Sequence, residues 1–340
     1  MRTVRLAVVG LQHGRDHVRA IEAAQGVALA AGSDLKPELA PEVERHGARF
    51  YTDYRRMLAE ERPDGVILAV PHHLHEEMTA TVAEAGCAVL VEKPIAMTLP
   101  EADRMIAACR AHGVPLAVGL HRRFERSVGR AREAVRAGRL GTVLHSRNVE
   151  VGFKSDQYFE RRPWMDNARY GGGPLFMNTI HTLDALRYVV DEIAEVYAVL
   201  SHRGRGWEVE DGAAAVLRYW GGASGVLLSG DASPGVPDRD FVLYGTEGTL
   251  DVHGSRLWTV PDRYTEGGRA ADEALAPSPE EAARPADAKV VQTEDFARAI
   301  RGEGAPLVSG EEGRQSLAVL LALRESGRTG RPVRVGAALQ

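Results

Sequence analysis

Ala88-Val89-Leu90-Val91-Glu92-Lys93-Pro94 is an apolar run that ends in two charges and a proline. Four consecutive apolar residues predict a strand buried on both faces, as in a parallel sheet. Pro94 stops it by removing a backbone donor and fixing φ. The same texture recurs on either side. Val4–Val9, Val27–Ala31, Gly65–Ala69 and Pro115–Val118 read as strands, with helical patterns between them at His17–Ala24, Pro37–Arg45, His75–Glu84 and Pro100–Ala111. The last helix has a start signal, Thr98 with Glu101 in capping-box spacing and Pro100 in the first turn, and a stop at Gly113 and Pro115. Alternating strands and helices make βαβ units, so residues 1–121 are expected to form an α/β domain around a parallel sheet. Lys93 then stands at the carboxyl end of a strand, where open α/β sheets bind ligands; taken alone it is equally a cation on a surface turn.

Beyond residue 121 the pattern changes. A helix over Phe124–Ala137, stopped by Gly138, is followed by strand-like runs at Val143–Phe153, Val196–Ser201, Ala213–Tyr219, Ser224–Gly230, Asp240–Tyr244 and Thr249–His253. With few helices between them, these predict a largely antiparallel sheet, and residues 122–340 are expected to form a second, α+β domain. One strong helix, Phe176–Val190, interrupts the run, and two more close the chain at Val290–Arg301 and Glu311–Ser326, the latter capped by Ser309 with Glu312. Residues 261–288, rich in Pro, Glu, Ala and Gly, read as an irregular connection.

Composition bounds the partners. At 340 residues the chain exceeds one ordinary core, and 44% hydrophobic with 26% charged residues is normal for a soluble protein. A formal net charge of -5 without like-charge blocks argues against nucleic acid and anionic membranes. No stretch is long and apolar enough to span a bilayer, and the apolar start is too short for a secretion signal. Cys87 and Cys109 lack metal spacing and fit a reducing compartment, so the cytoplasm is the expected location.

Several polar positions carry candidate chemistry. The first strand ends in Gly10-Leu11-Gln12-His13-Gly14, a glycine turn that suits a pyrophosphate at a helix N-terminus. It lacks one glycine of the full dinucleotide motif and is equally a plain strand-to-helix turn. Asp34, at the end of the second strand, is placed to accept ribose hydroxyls and favours NAD; nearby Lys36 leaves NADP open. Pro71, His72, His73 and His75 follow the third buried strand, where crevice lining is expected and adjacent histidines suit no tetrahedral metal site. Asn178, His181 and Asp184, spaced by three after Gly171-Gly172-Gly173-Pro174, predict a polar stripe facing a cleft or a satisfied internal network.

Together these residues resemble the Gfo/Idh/MocA family, the glucose–fructose oxidoreductase and inositol dehydrogenase group. The likeness runs from the glycine turn and His17 through Asp34, Pro71, His72, His75 and Glu92-Lys93-Pro94 to Arg123, the 171–184 segment, Glu210-Asp211 and 245–249. It implies an N-terminal Rossmann domain, a C-terminal domain with a large open sheet used for homodimer or homotetramer contacts, and an NAD(P)-dependent dehydrogenase of sugars, sugar acids or cyclic polyols. It implies Lys93 and His181 as the catalytic pair, with Gly10, Gln12, His13, Gly14, Asp34, Pro71, His72, His75, Glu92 and Lys93 on the cofactor. Asn178, Asp184, Arg123 and Trp164 are the candidates for gripping substrate. Many members carry an aspartate four positions before the histidine; Met177 occupies that position here. Two other readings are an NAD-retaining enzyme that modifies glycosides by transient oxidation, and a non-catalytic cofactor sensor.

Overall fold

The computed structural model of the chain describes residues 2–160, 167, 170, 173–203, 209–235, 238–259, 271–276, 282 and 285–336. The chain packs as two units, Met1–Phe124 with Pro285–Leu317, and Glu125–Arg284 with Ala318–Gln340.

The first unit is built on six parallel strands: β1 (Val4–Val9), β2 (Val27–Ser33), β3 (Arg49–Tyr51), β4 (Gly65–Leu68), β5 (Ala88–Val91) and β6 (Leu116–Val118), in the order β3-β2-β1-β4-β5-β6. The connecting helices are α1 (Leu11–Ala23), α2 (Pro41–Glu44), α3 (Tyr54–Glu61), α4 (His75–Glu84) and α5 (Leu99–Ala111). β4 and β5 are buried along their whole length, which is why they read as unbroken apolar runs. The strand order reverses between β1 and β4, and ligands bind outside the carboxyl ends at such a switch point. The capping box of Thr98 and Glu101 forms as its spacing predicts. A late helix, Ala288–Ile300, returns to this unit: Phe296 and Ala297 join the core around Leu6, Val8, Ile67 and Leu90, and Gln292 Nε2 donates to the Val118 carbonyl at 3.0 Å.

The second unit holds a nine-stranded sheet in the order β14-β13-β12-β11-β7-β10-β9-β8-β15. Its strands are β7 (Val143–Val151), β8 (Ile193–Ser201), β9 (Gly212–Tyr219), β10 (Ser224–Gly230), β11 (Asp238–Gly245), β12 (Gly248–Asp251), β13 (Arg256–Thr259), β14 (Ala271–Ala274) and β15 (Val333–Arg334). All described pairings are antiparallel except β10 with β7, so the sheet is mostly antiparallel, as expected. Along β9 and β10 buried and exposed residues alternate, the mark of a sheet covered on one face. Helices α6 (Arg126–Arg136), α7 (Asp156–Glu160) and α8 (Ile180–Val189) complete the unit, together with the end of the helix Gly310–Thr329. There the Ala198 N–H donates to Ser326 Oγ at 2.9 Å.

Sequence reading missed β3, α3, α7, β13, β14 and β15, which are short or rich in charge. It also began α1 six residues late, at His17 instead of Leu11.

Candidate active site

The carboxyl edge of the parallel sheet gathers most of the residues singled out in the first unit. Gly10 adopts φ 88°, and a Cβ there would lie 2.3 Å from the Ala69 carbonyl oxygen, so only glycine lets β1 turn into α1 so close to the end of β4. Gly14 allows α1 to rest on β1, since a Cβ would sit 2.6 Å from Val8 Cγ1. These are two of the three tasks glycines perform in a dinucleotide turn; exposed Gln12 occupies the remaining position. Gly10, at the N-cap of α1, has no side chain with which to cap the helix start. Asp34 closes this corner. Its Oδ2 accepts from the Leu11 N–H at 2.7 Å and its Oδ1 from the Lys36 N–H at 3.0 Å, which fixes the carboxylate beside the helix start. A carboxylate has lone pairs to spare for ribose hydroxyls, so a helix N-terminus, a glycine-only approach and a fixed acid together fit NAD.

The Glu92-Lys93-Pro94 turn follows β5 along the same edge. Glu92 is buried, and its Oε1 lies 2.8 Å from His17 Nε2 and 3.6 Å from His13 Nε2, while its Oε2 accepts the Lys93 N–H at 3.1 Å. Burial opposes a charge on Glu92, yet nearby His13 and the hydrogen bond from His17 hold it ionised, well below the usual carboxylate range. Burial pushes His17 down despite Glu92, so it serves as a neutral Nε2–H donor to the carboxylate. His75 is buried as well. Its Nδ1 lies 2.9 Å from the Pro94 carbonyl and its Nε2 3.0 Å from the Val70 carbonyl, linking the lysine turn to the end of β4. His72, in the turn after Pro71, meets the edge of the His75 ring at 5.6 Å between centroids. Lys93 itself is 8% exposed. His121, which sequence reading passed over, lies on the turn after β6. Burial pushes its pKa down to about 4, with Lys289, Lys93 and Arg122 reinforcing the shift and Glu92 opposing it.

In the second unit the expected helix opens with a π-helical turn, Leu175–Thr179, before α8. Such turns are rare and recur at functional sites. Gly173 lies just before it at φ 89°, where a Cβ would come 2.5 Å from Glu210 Oε1; the same oxygen accepts the Leu175 N–H at 3.0 Å. Burial pushes the Glu210 carboxyl up, and the Leu175 hydrogen bond resists it. Half-buried Asn178 accepts from Lys154 Nζ at 3.1 Å, and that ammonium lies 3.8 Å from Asp231 Oδ2. His181 follows on the next turn, 6% exposed, and Thr182 donates to Glu150 at 2.6 Å.

Two expected substrate contacts are placed in ion pairs. Asp184 is fully buried, 3.7 Å from Arg187, which also makes two short bonds to Glu192; Arg123 is buried 2.7 Å from Glu312. The substrate role proposed for each therefore has to compete with an existing charged partner. Trp164 lies outside the described residues, as do Arg161, Arg162, Arg169, Gly171 and Gly172. Lys93 belongs to the first unit and His181 to the second. Lys154 and Asp231 were missed because each is a lone charged residue just beyond a strand, and only the parallel pairing of β10 with β7 brings those strand ends together.

Comparison with known proteins identifies the family of both parts of the chain. Residues 4–120 match a family model described as an oxidoreductase family with an NAD-binding Rossmann fold, and residues 128–251 match the GFO/IDH/MocA C-terminal domain. The chain is 30% identical to a 1,5-anhydro-D-fructose reductase of Ensifer adhaerens over 91% of its length and 93% of that protein's. It is 27% identical to a myo-inositol 2-dehydrogenase of Thermotoga maritima, covering 98% of each. Among solved structures, the WlbA dehydrogenase of Bordetella pertussis, in complex with NADH and UDP-GlcNAcA, superposes with a TM-score of 0.83 at 26% identity, over 98% of this chain and 99% of that one.

Proposed function

This chain belongs to the Gfo/Idh/MocA oxidoreductase family and has an NAD-binding Rossmann domain, and on that premise we propose that it transfers hydride between NAD and a secondary alcohol of a sugar or cyclic polyol. The observation that carries the reading is the shared sheet edge, where the Gly10 turn into α1, the fixed Asp34 carboxylate and the Lys93 turn follow the carboxyl ends of β1, β2 and β5. When bound, the nicotinamide accepts or returns the hydride.

The chain's own residues bind, orient and manage the proton. Gly10, Gln12, His13 and Gly14 hold the pyrophosphate, and Asp34 takes the ribose hydroxyls and disfavours a 2′-phosphate. Pro71 and His72 line the crevice, while Glu92 and His75 act on the Lys93 turn from beneath. Lys93 stabilises the developing alkoxide or product carbonyl oxygen as a positioned cation, and His181 takes the hydroxyl proton. Asn178 hydrogen-bonds the substrate, Asp184 braces α8 through Arg187, and Arg123 pairs with Glu312. The expected division at residue 121 is amended by the return of Pro285–Leu317 to the first unit: that unit serves the nucleotide, and Glu125–Arg284 with Ala318–Gln340 the substrate and self-association.

The exposed face of the second unit's sheet supports association of like chains. Tyr197, Val216 and Val226 form one exposed row across β8, β9 and β10, with Val199 and Leu228 in the next. Such a contiguous apolar patch marks an interaction surface, and a homodimer or homotetramer through it fits an enzyme of this architecture. No helix among the described residues is long and apolar enough to cross a membrane, and the buried thiols Cys87 and Cys109 suit the cytoplasm. The deciding experiment screens polyols, aldoses and uronates for appearance of reduced nicotinamide. Steady NADH formation from a neutral sugar or inositol is expected; tight NAD binding with no turnover of any of them would overturn the proposal.

A further inference from the structure

Glu92 is a buried carboxylate enclosed by α1, the end of β6 and its own turn. From α1, His17 Nε2 reaches its Oε1 at 2.8 Å, and both side chains are almost wholly buried. From the end of β6, Gly119 lies flat against it: a Cβ there would stand 3.0 Å from Oε2 and 3.2 Å from the Glu92 Cα. Gly119 is itself fixed, since its N–H donates to the Val91 carbonyl at 2.8 Å. The other bond to the carboxylate comes from the lysine, whose N–H donates to Oε2 at 3.1 Å. One carboxylate thus ties the turn that carries Lys93 to α1, with an oxygen for each bond. The main chain is anchored on either side of the lysine as well. The Glu92 N–H donates to the Leu68 carbonyl at 2.9 Å, and His75 Nδ1 lies 2.9 Å from the Pro94 carbonyl.

A buried carboxylate is costly unless its charge is compensated and its oxygens are bonded. Burial opposes the charge on Glu92, and the two histidines of α1 hold it. His13, one helical turn before His17, brings its Nε2 to 3.6 Å from Oε1 while half of its side chain stays exposed. Lys289, at the start of the helix Ala288–Ile300, pairs with Asp16 of α1 at 3.6 Å and adds positive potential at His17. Together with burial it keeps His17 neutral, so the imidazole is a donor without a charge of its own. An apolar pair of similar shape would fill this space without the desolvation cost, but it could not hold the Lys93 N–H.

We propose that His17 and Glu92 are positioning residues for Lys93: His17 fixes the carboxylate, and the carboxylate fixes the lysine backbone from which the ammonium extends. The inference rests on the reading of Lys93 as the cation of the hydride step, and deepens it. Neither side chain is required to touch substrate, so their loss falls on kcat and leaves cofactor binding in place.

The test uses the full chain with NAD, myo-inositol and D-glucose as probes, and hydrogen exchange at the Lys93 amide as a readout independent of turnover. His17→Phe keeps an aromatic ring and removes the donor. It should lower kcat by about tenfold or more for whichever probe the wild type oxidises, and speed Lys93 amide exchange by about tenfold. KM for NAD and NADH affinity should stay within about threefold of wild type. His17→Gln restores a donor and should recover most of both losses, which a packing role alone would not show. If His17→Phe fails to bind NADH, Gly119→Ala presses on the same carboxylate from β6 and should show the same two effects. A kcat within about twofold of wild type, or unaltered Lys93 exchange, in a variant that still binds NADH overturns the inference. So does loss of NADH binding by His17→Gln, which would make the pair an element of folding. No NADH from either probe with the wild type, or full turnover by Lys93→Ala, would instead sink the functional reading, and the Lys93 exchange rates would still decide whether the clasp exists.

Discussion

Gly10→Ala is the sharpest structural perturbation of the nucleotide site, because Gly47 supplies an internal control. Both glycines have left-handed backbones, φ 88° and φ 77°, so an alanine at either site carries a conformational cost of about 1–2 kcal/mol. Around Gly47 nothing lies within 4 Å of the new methyl, and the conformational cost is the whole effect. At Gly10 the methyl would meet the Ala69 carbonyl oxygen at 2.3 Å and its carbon at 2.8 Å, both backbone atoms. Ordinary contact needs about 3.5 Å, so the ends of β1 and β4 must part by roughly 1 Å. Overpacking of that kind adds about 1–3 kcal/mol to the loss of stability. The displaced backbone is also the proposed pyrophosphate cradle, so NAD affinity should fall by about tenfold to a hundredfold as its hydrogen bonds are misplaced. Urea unfolding followed by circular dichroism, with NADH binding by fluorescence, measures both quantities on both variants. Gly47→Ala should bind NADH normally. Equal stability and equal NADH affinity for the two variants would refute the close-approach argument.

Three further outcomes follow from single side chains. His121 stays neutral in the folded chain down to about pH 4, against 6.5 for its ordinary value, so the unfolded chain binds the proton first as pH falls. Folding is therefore weakened by about 1.4 kcal/mol per pH unit below 6.5, roughly 3 kcal/mol in all at pH 4, and stability rises again with pH through that window. His121→Asn should flatten the wild-type curve there, and parallel curves would exclude the linkage. Asp34→Ser keeps an acceptor for the Leu11 N–H, 2.7 Å away in the wild type, but removes the charge proposed to face the ribose. The ratio of NADP to NAD affinity should rise by about tenfold or more, and an unchanged ratio would remove Asp34 from cofactor choice. Val216→Glu places a charge at the centre of the exposed row formed with Tyr197 and Val226, and sedimentation should then show a smaller species than wild type at equal concentration. An unaltered assembly would move the interface elsewhere.

The parallel sheet was legible because β4 and β5 are buried on both faces and so must be apolar throughout, and because Thr98 and Glu101 write a helix start in local sequence. β3 and α3 were not, since they are short and hydrophilic and lean on each other through Arg49 with Glu60 and Glu61, and Tyr51 with Glu61. The spacing of Asn178, His181 and Asp184 predicted one polar face. The wider π turn beneath Asn178 breaks that phase, leaving Asn178 half-buried on Lys154 while Asp184 turns inward to Arg187. Period counting assumes a uniform helix, and no local residue announces a π turn. Likewise, the closeness of Lys154 to Asp231, and of Gln292 to the Val118 carbonyl, depends on pairings between segments far apart in the chain.

The central claim is that an ammonium and an imidazole lower the same barrier at one carbinol carbon. Its most direct test is a double-mutant cycle on turnover with NAD and a neutral sugar or inositol, using Lys93→Ala, His181→Ala and the double variant. Each single change should cut kcat by about a hundredfold or more while NADH still binds, and the double variant should be little worse than the poorer single. Near-normal turnover in either single variant, or losses that multiply as for independent sites, would contradict the mechanism.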